Sequence, residues 1–167
     1  KMVDAIANKL AEIDPTHAAG YKERAVKVSK DLGQLLFDGK AKFEDKKNRN
    51  VLTMHESFIY FAKAFNLEVA GSIQAQPNQP VDAARLSKLD KLCREKHVRV
   101  ITFEPQYSDA EPKLLQRGLA DRGVKVRLAE FDTLETAPVP EGKINPPADY
   151  YFSKMRANID HLAKALE

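Results

Sequence analysis

Three acidic or imidazole side chains stand at comparable places along this chain, each where a short apolar run gives way to polar sequence. His55 follows "VLTM", Glu104 follows "VRVITF", and Asp132 follows "VKVRLAEF". An imidazole and carboxylates that converge on one crevice suit a divalent transition ion. Each residue also has an ordinary structural role open to it. His55 stands where a helix begins and can act as a polar neighbour of the cap. Asp132 can open a loop through an Asx-turn. Glu104, before Pro105, can satisfy backbone N–H groups at a strand end. His17, His97 and His161 lie among charged neighbours on helical stretches and read as surface residues. No glycine-rich phosphate loop, nucleophile elbow or paired-histidine motif occurs, so an enzyme reading has no nucleophile and base to name.

The elements that must position these residues are legible from periodicity. Apolar runs at Val51–Met54, Leu67–Ile73, Val98–Phe103 and Val124–Phe131 predict four strands. Helical spacing predicts helices over about 56–65, 81–97, 109–122 and 148–166. Strand and helix in alternation predict an α/β fold, a mostly parallel four-stranded sheet flanked by helices. Asp82, after the "QPNQP" turn, and Ser108 or Asp109 are the expected helix caps. Tyr150, Tyr151 and Phe152 begin the last helix and are expected to pack on the sheet. Residues 132–147 hold four of the nine prolines and read as a loop. In an open parallel sheet the binding crevice lies outside the C-terminal ends of the strands, where His55, Glu104 and Asp132 would meet.

Ahead of the sheet, Val3, Ile6, Ala7, Leu10 and Ile13 recur at helical spacing until "DPT". Thr16 is the expected cap of one long helix reaching about Lys47, with a break near Gly39 as an alternative. Thirty residues of helix would extend about 45 Å, a strut between lobes rather than a part of one small core.

Composition bounds the rest. The chain has 167 residues, 43% hydrophobic and 31% charged, with a formal net charge of +3. Basic and acidic residues interleave ("KERAVKVSKD", "KFEDKKNR"), which describes solvated helix faces and not a nucleic-acid stripe. Cys93 is the single cysteine, so no intrachain disulfide can form. No apolar run approaches the roughly 18–20 residues of a membrane span, and no signal peptide is visible. Lys1 already lies inside a helical pattern, so a fragment of a longer protein is expected.

Taken in order, "MHESFIYFAKAFNLEVAGSI", "QPNQPVDAARLSKL", "VRVITFEPQYSD", "VKVRLAEFDTL" and "DYYFSKMRANIDHLAKAL" resemble the second half of the substrate-binding proteins of zinc and manganese ABC transporters. "IDPTHAAGYKERAVKVSKDL" is similar to that family's interlobe helix. The resemblance implies two α/β lobes joined by one long helix, with a metal ion clamped between them. It implies that residues 1–15 are the remnant of an N-terminal lobe, 16–49 the interlobe helix and 50–167 the C-terminal lobe. Two histidine ligands would come from the missing N-terminal lobe, the third ligand would be His55 and the fourth Asp132. Histidine rather than glutamate at the third position looks like the zinc type, with manganese as the alternative cargo. Glu104 matches a recurrent "EPQ" and would support the ligands or the fold.

This chain departs from the family pattern in three places: "HES" stands for "HDA" or "HGA", Thr133 stands where proline is usual, and a cysteine pair found in some members is absent. The implied protein is a non-enzymatic receptor, periplasmic or lipid-anchored outside the cytoplasmic membrane, whose partner is the transporter permease and not a nucleic acid. The resemblance further predicts that His55 and Asp132 lie close together with side chains facing solvent, and that Val3, Ile6 and Leu10 are left uncovered. The residues alone also admit a stand-alone α/β domain that binds a small organic ligand in the same crevice.

Overall fold

A computed structural model describes residues 1–74 and 81–167. Two compact units divide the chain, residues 1–38 and 39–167. The first unit contains helix α1 (Met2–Ile13), a 3-10 turn at Pro15–His17, and most of helix α2, which runs Ala18–Phe43. Proline opens that turn, where its missing N–H leaves no helical hydrogen bond unmade. Asp14 ties the junction together: its carboxylate accepts from Tyr21 Oη at 2.8 Å and meets His17 Nδ1 at 2.7 Å. These two hydrogen bonds, Tyr21 first, hold the Asp14 carboxyl below the usual carboxylate range. Thr16 therefore lies inside the turn and is not the cap expected from sequence. Ile6 and Leu10 are exposed, as are Met2 and Ile13, while Val3 is half-buried.

The second unit is an α/β layer structure. Its strands are β1 (Asn50–Thr53), β2 (Glu68–Ser72), β3 (Val100–Phe103) and β4 (Arg127–Glu130), ordered β2-β1-β3-β4 and parallel at every pairing. Val51, Leu52, Val100 and Ile101 are fully buried, because the two central strands β1 and β3 are covered on both faces. On one face Leu52, Met54 and Ile101 pack with Leu89 and Cys93 of α4 (Ala83–Glu95) and with Leu115 and Leu119 of α5 (Ala110–Asp121). A run of edge-to-face and tilted rings links Phe65 and Phe61 of α3 (Ile59–Phe65) to Phe43, Phe58 and Phe131. Helix α6 (Tyr150–Ala165) packs on β4 and buries Ile159 and Leu162.

The helix starts follow the expected chemistry. Asp82 accepts from the Arg85 backbone N–H at 2.7 Å, capping α4. Ahead of α5, Ser108 Oγ accepts from the Ala110 N–H at 3.2 Å, while Asp109 pairs with Lys113 instead of capping. The "QPNQP" turn falls on residues outside those described.

Helix α2 passes through Gly39 without a break. Glycine is required there by close approach: a Cβ would lie 2.5 Å from Phe65 Cε1 and 2.9 Å from Ile159 Cδ1.

The strand order sets the position of the crevice. From β1 the chain moves outward to β2, then returns across β1 to β3 and β4. The order reverses between β1 and β3, and in open parallel sheets ligands bind beyond the carboxyl ends of the strands at that reversal. His55 follows β1 and Glu104 follows β3.

Candidate metal centre

All four strands deliver a polar side chain just past their ends. These are Gln74 after β2, His55 after β1, Glu104 after β3 and Asp132 after β4. The ladder continues beyond the strands proper and holds these exits in register. Ile73 N–H donates to Thr53 O, Gln74 N–H to Met54 O, and Phe131 N–H to Phe103 O.

His55 makes no cap hydrogen bond to the 3-10 turn Glu56–Phe58 that follows it. Its ring is held instead by side chains from two other strands. Nδ1 lies 2.8 Å from Glu104 Oε1, and Nε2 lies 3.0 Å from the Gln74 side-chain oxygen. The Tyr107 ring packs edge-on against it at 4.9 Å. Tyr107 donates its hydroxyl to Glu135, and this bond, with some burial, raises its phenol above the usual range.

Glu104 is 3% exposed. Its second oxygen, Oε2, accepts from Thr133 Oγ1 at 3.1 Å and from Gln106 Nε2 at 3.3 Å. The partners of this carboxylate are thus side chains, not the backbone N–H groups that a strand-end role required. Gln106 Nε2 also donates to Thr133 Oγ1 at 2.8 Å, and Gln106 Oε1 is buried with no partner among the described residues.

Asp132 is fixed through both its backbone and its carboxylate. Its N–H donates to Asn158 Oδ1 and its carbonyl accepts from Asn158 Nδ2, each at 2.8 Å, so one buried amide on α6 pins the exit of β4. Oδ1 accepts from the Leu134 N–H at 2.9 Å, forming the Asx-turn available to this residue, with Leu134 at φ 64°. Oδ2 pairs with Lys154 Nζ at 2.9 Å. Hydrogen bonding to Asp132, only partly opposed by burial, raises the Lys154 ammonium above its ordinary value.

His55 and Asp132 therefore share one edge of the sheet and are linked through Glu104 and Thr133. Their expected exposure is corrected by the structure: each is 5% exposed, because Gln74, Tyr107 and Glu104 cover the ring and Lys154 and the Leu134 turn cover the carboxylate. Among the described residues no three His, Cys, Asp or Glu side chains are placed to share an ion. His17, His97 and His161 are exposed. Gln74, Gln106, Thr133, Asn158 and Lys154 were not picked out from sequence as working residues. Gln74 was findable, since the strand-end rule that selects His55 selects it too.

The second unit is thus an open parallel α/β lobe that gathers buried polar groups from every strand at its topological switch point. Residues 1–165 match the family model "Zinc-uptake complex component A periplasmic" (ZnuA), and the chain belongs to that family. It is 31% identical over 129 residues to the high-affinity zinc uptake system protein ZnuA of Brucella abortus (strain 2308), covering 77% of this chain and 37% of that protein. It is 27% identical over 161 residues to the zinc-binding protein AdcA of Streptococcus pyogenes serotype M6, covering 96% of this chain and 30% of that one. The chain thus spans about a third of the length of these relatives. The fold is shared with the substrate-binding protein FpvC of Pseudomonas aeruginosa in complex with Mn2+, at TM-score 0.80 and 23% identity, over 98% of this chain and 57% of that one.

Proposed function

We propose that this chain is the C-terminal lobe and interlobe helix of an extracytoplasmic receptor that captures zinc and delivers it to the permease of an ABC uptake transporter. Membership of the zinc-uptake family over residues 1–165 carries the reading. The zinc-uptake and zinc-binding names of the two relatives, and the position of His55 at the switch point, support it. In this reading the protein is no enzyme: it binds and releases an ion without breaking a bond. It works in the periplasm or from a lipid anchor outside the cytoplasmic membrane.

His55 Nε2 and the Asp132 carboxylate are the ligands from this lobe, and a preceding lobe supplies the others, two histidines. Residues 1–15 are the end of that lobe and residues 16–49 the connecting helix. An imidazole donor favours zinc over a harder ion. Manganese is the second reading, favoured by the Mn2+ complex of the structural neighbour. Binding displaces two contacts, the Gln74 oxygen on Nε2 and the Lys154 ammonium on Asp132, and the proton that Nε2 shares with the Gln74 oxygen is released to solvent.

The test is calorimetric titration of zinc and of manganese into the full-length protein and its His55→Ala and Asp132→Ala variants. Closed zinc sites supply about 10–16 kcal/mol with all ligands present. Loss of one ligand in four removes about 3 kcal/mol, a weakening of roughly a hundredfold. Unchanged zinc affinity in both variants would exclude this site, and tighter manganese binding by the parent would transfer the assignment to manganese.

A further inference from the structure

Glu104 touches three elements at once. Oε1 serves the His55 ring, while Oε2 takes the hydroxyl of Thr133 and the amide of Gln106. A carboxylate held at one oxygen alone turns easily, because its terminal torsion is broad. Two donors on Oε2 fix the plane of the group and so fix the direction in which Oε1 meets Nδ1. The Thr133 hydroxyl has a single proton to give. Gln106 Nε2 already donates to Thr133 Oγ1 at 2.8 Å, so that proton is directed to Glu104.

We infer that Thr133 is a positioning residue of the site: its hydroxyl locks the Glu104 carboxylate, which locks the His55 ring with Nδ1 engaged and Nε2 as the ligand nitrogen. The inference rests on the reading of His55 as a ligand. Thr133 also directly follows Asp132, so one hydroxyl ties the orientation of the first ligand to the segment that carries the second.

The test uses zinc titration of the full-length protein and its Thr133→Val, Thr133→Ser, Glu104→Ala and Thr133→Val/Glu104→Ala variants, beside His55→Ala. Partners that orient a metal ligand cost about 10–100-fold in affinity when removed. Thr133, one contact further out, is expected at the lower end: Thr133→Val weakens binding about tenfold, and Thr133→Ser, which keeps the hydroxyl, restores it. The double variant binds as Glu104→Ala does, because with the acceptor oxygen gone the hydroxyl has nothing to hold. Thr133→Ala, which also deletes the hydroxyl, takes the place of Thr133→Val should circular dichroism show that the valine variant does not fold. Parent affinity in Thr133→Val, failure of Thr133→Ser to restore binding, or additive losses in the double variant would each overturn the inference. If His55→Ala binds weakly while Thr133→Val binds normally, the inference alone falls. If His55→Ala binds as the parent does, the ligand assignment falls and the inference with it.

Discussion

Replacing each of two α2 glycines by alanine should have opposite effects, and the structure gives both signs. A Cβ at Gly33 meets nothing within 4 Å, so Gly33→Ala collects only the gain in helix propensity, about 1 kcal/mol. A Cβ at Gly39 would stand 2.5 Å from Phe65 Cε1 and 3.1 Å from Phe65 Cζ. Carbon atoms settle at about 3.5–4.0 Å, so the ring would have to retreat by about 1 Å. Its room is taken, since Phe61 and Phe43 flank it with ring centroids at 4.5 and 5.7 Å. The Ile159 methyl at 2.9 Å can rotate away more easily. Overpacking of this kind costs about 1–3 kcal/mol, and a wedged ring belongs near the top of that range. Subtracting the same propensity gain leaves a net loss of about 2 kcal/mol. At about 2–4 °C per kcal/mol for a chain of this size, Gly39→Ala should lower Tm by about 4–8 °C and Gly33→Ala should raise it by about 2–4 °C. Urea unfolding at an unchanged m-value checks that folded-state stability is what moved. A Gly39→Ala protein as stable as its parent would refute the close-approach explanation for this glycine.

Two further outcomes follow from particular contacts. Lys154→Met removes the ammonium 2.9 Å from Asp132 Oδ2. Lys154 is about a third exposed, so the pair contributes about 1 kcal/mol; zinc titration should show about fivefold tighter binding together with a lower Tm of the metal-free protein, and weaker zinc binding would show that Lys154 assists the ion instead of competing with it. Cys93 is fully buried, and burial, with Asp90 nearby, pushes its thiol up to about 12 from an ordinary 9.0. Thiol reagents at pH 8 should therefore modify it only after denaturation, and its contribution to stability should be lost as pH rises above 9; rapid labelling of the native protein would contradict the buried placement.

The sheet was legible because the two central strands are buried on both faces and so appear as unbroken apolar runs. The sequence places β1 at Val51–Met54 and the structure at Asn50–Thr53. The fourth apolar run, Val124–Phe131, is longer than its strand, Arg127–Glu130. Val126 is buried like a strand residue, but pairing begins only at Arg127, whose N–H donates to Arg99 O and whose neighbour in the register is Val100. Apolarity reports burial, and burial here starts before the ladder does. His55, Glu104 and Asp132 were legible for a different reason: residue types that bind ions stand at strand ends, and strand order sends those ends to one crevice. The amides and hydroxyls that complete the cluster carry no such signal. Gln106, Thr133 and Asn158 acquire their roles only when loops and α6 are laid across the strand exits.

The same contacts explain why His55 and Asp132 are buried instead of open to water. A polar group buried without a partner costs about 1–3 kcal/mol, and a charged one more. A lobe that keeps an imidazole and a carboxylate under cover must therefore give both of them partners of its own. Gln74 and Glu104 serve the ring; Lys154 and the Leu134 N–H serve the carboxylate. If His55 and Asp132 are the ligands, as proposed, capture of an ion would be an exchange in which Gln74 and Lys154 leave while Glu104 and the Leu134 turn stay to aim them. The net affinity is the difference between the bonds to the ion and the contacts it displaces. Selectivity depends on the same difference, since an ion that bonds imidazole weakly recovers less on displacing Gln74 from Nε2.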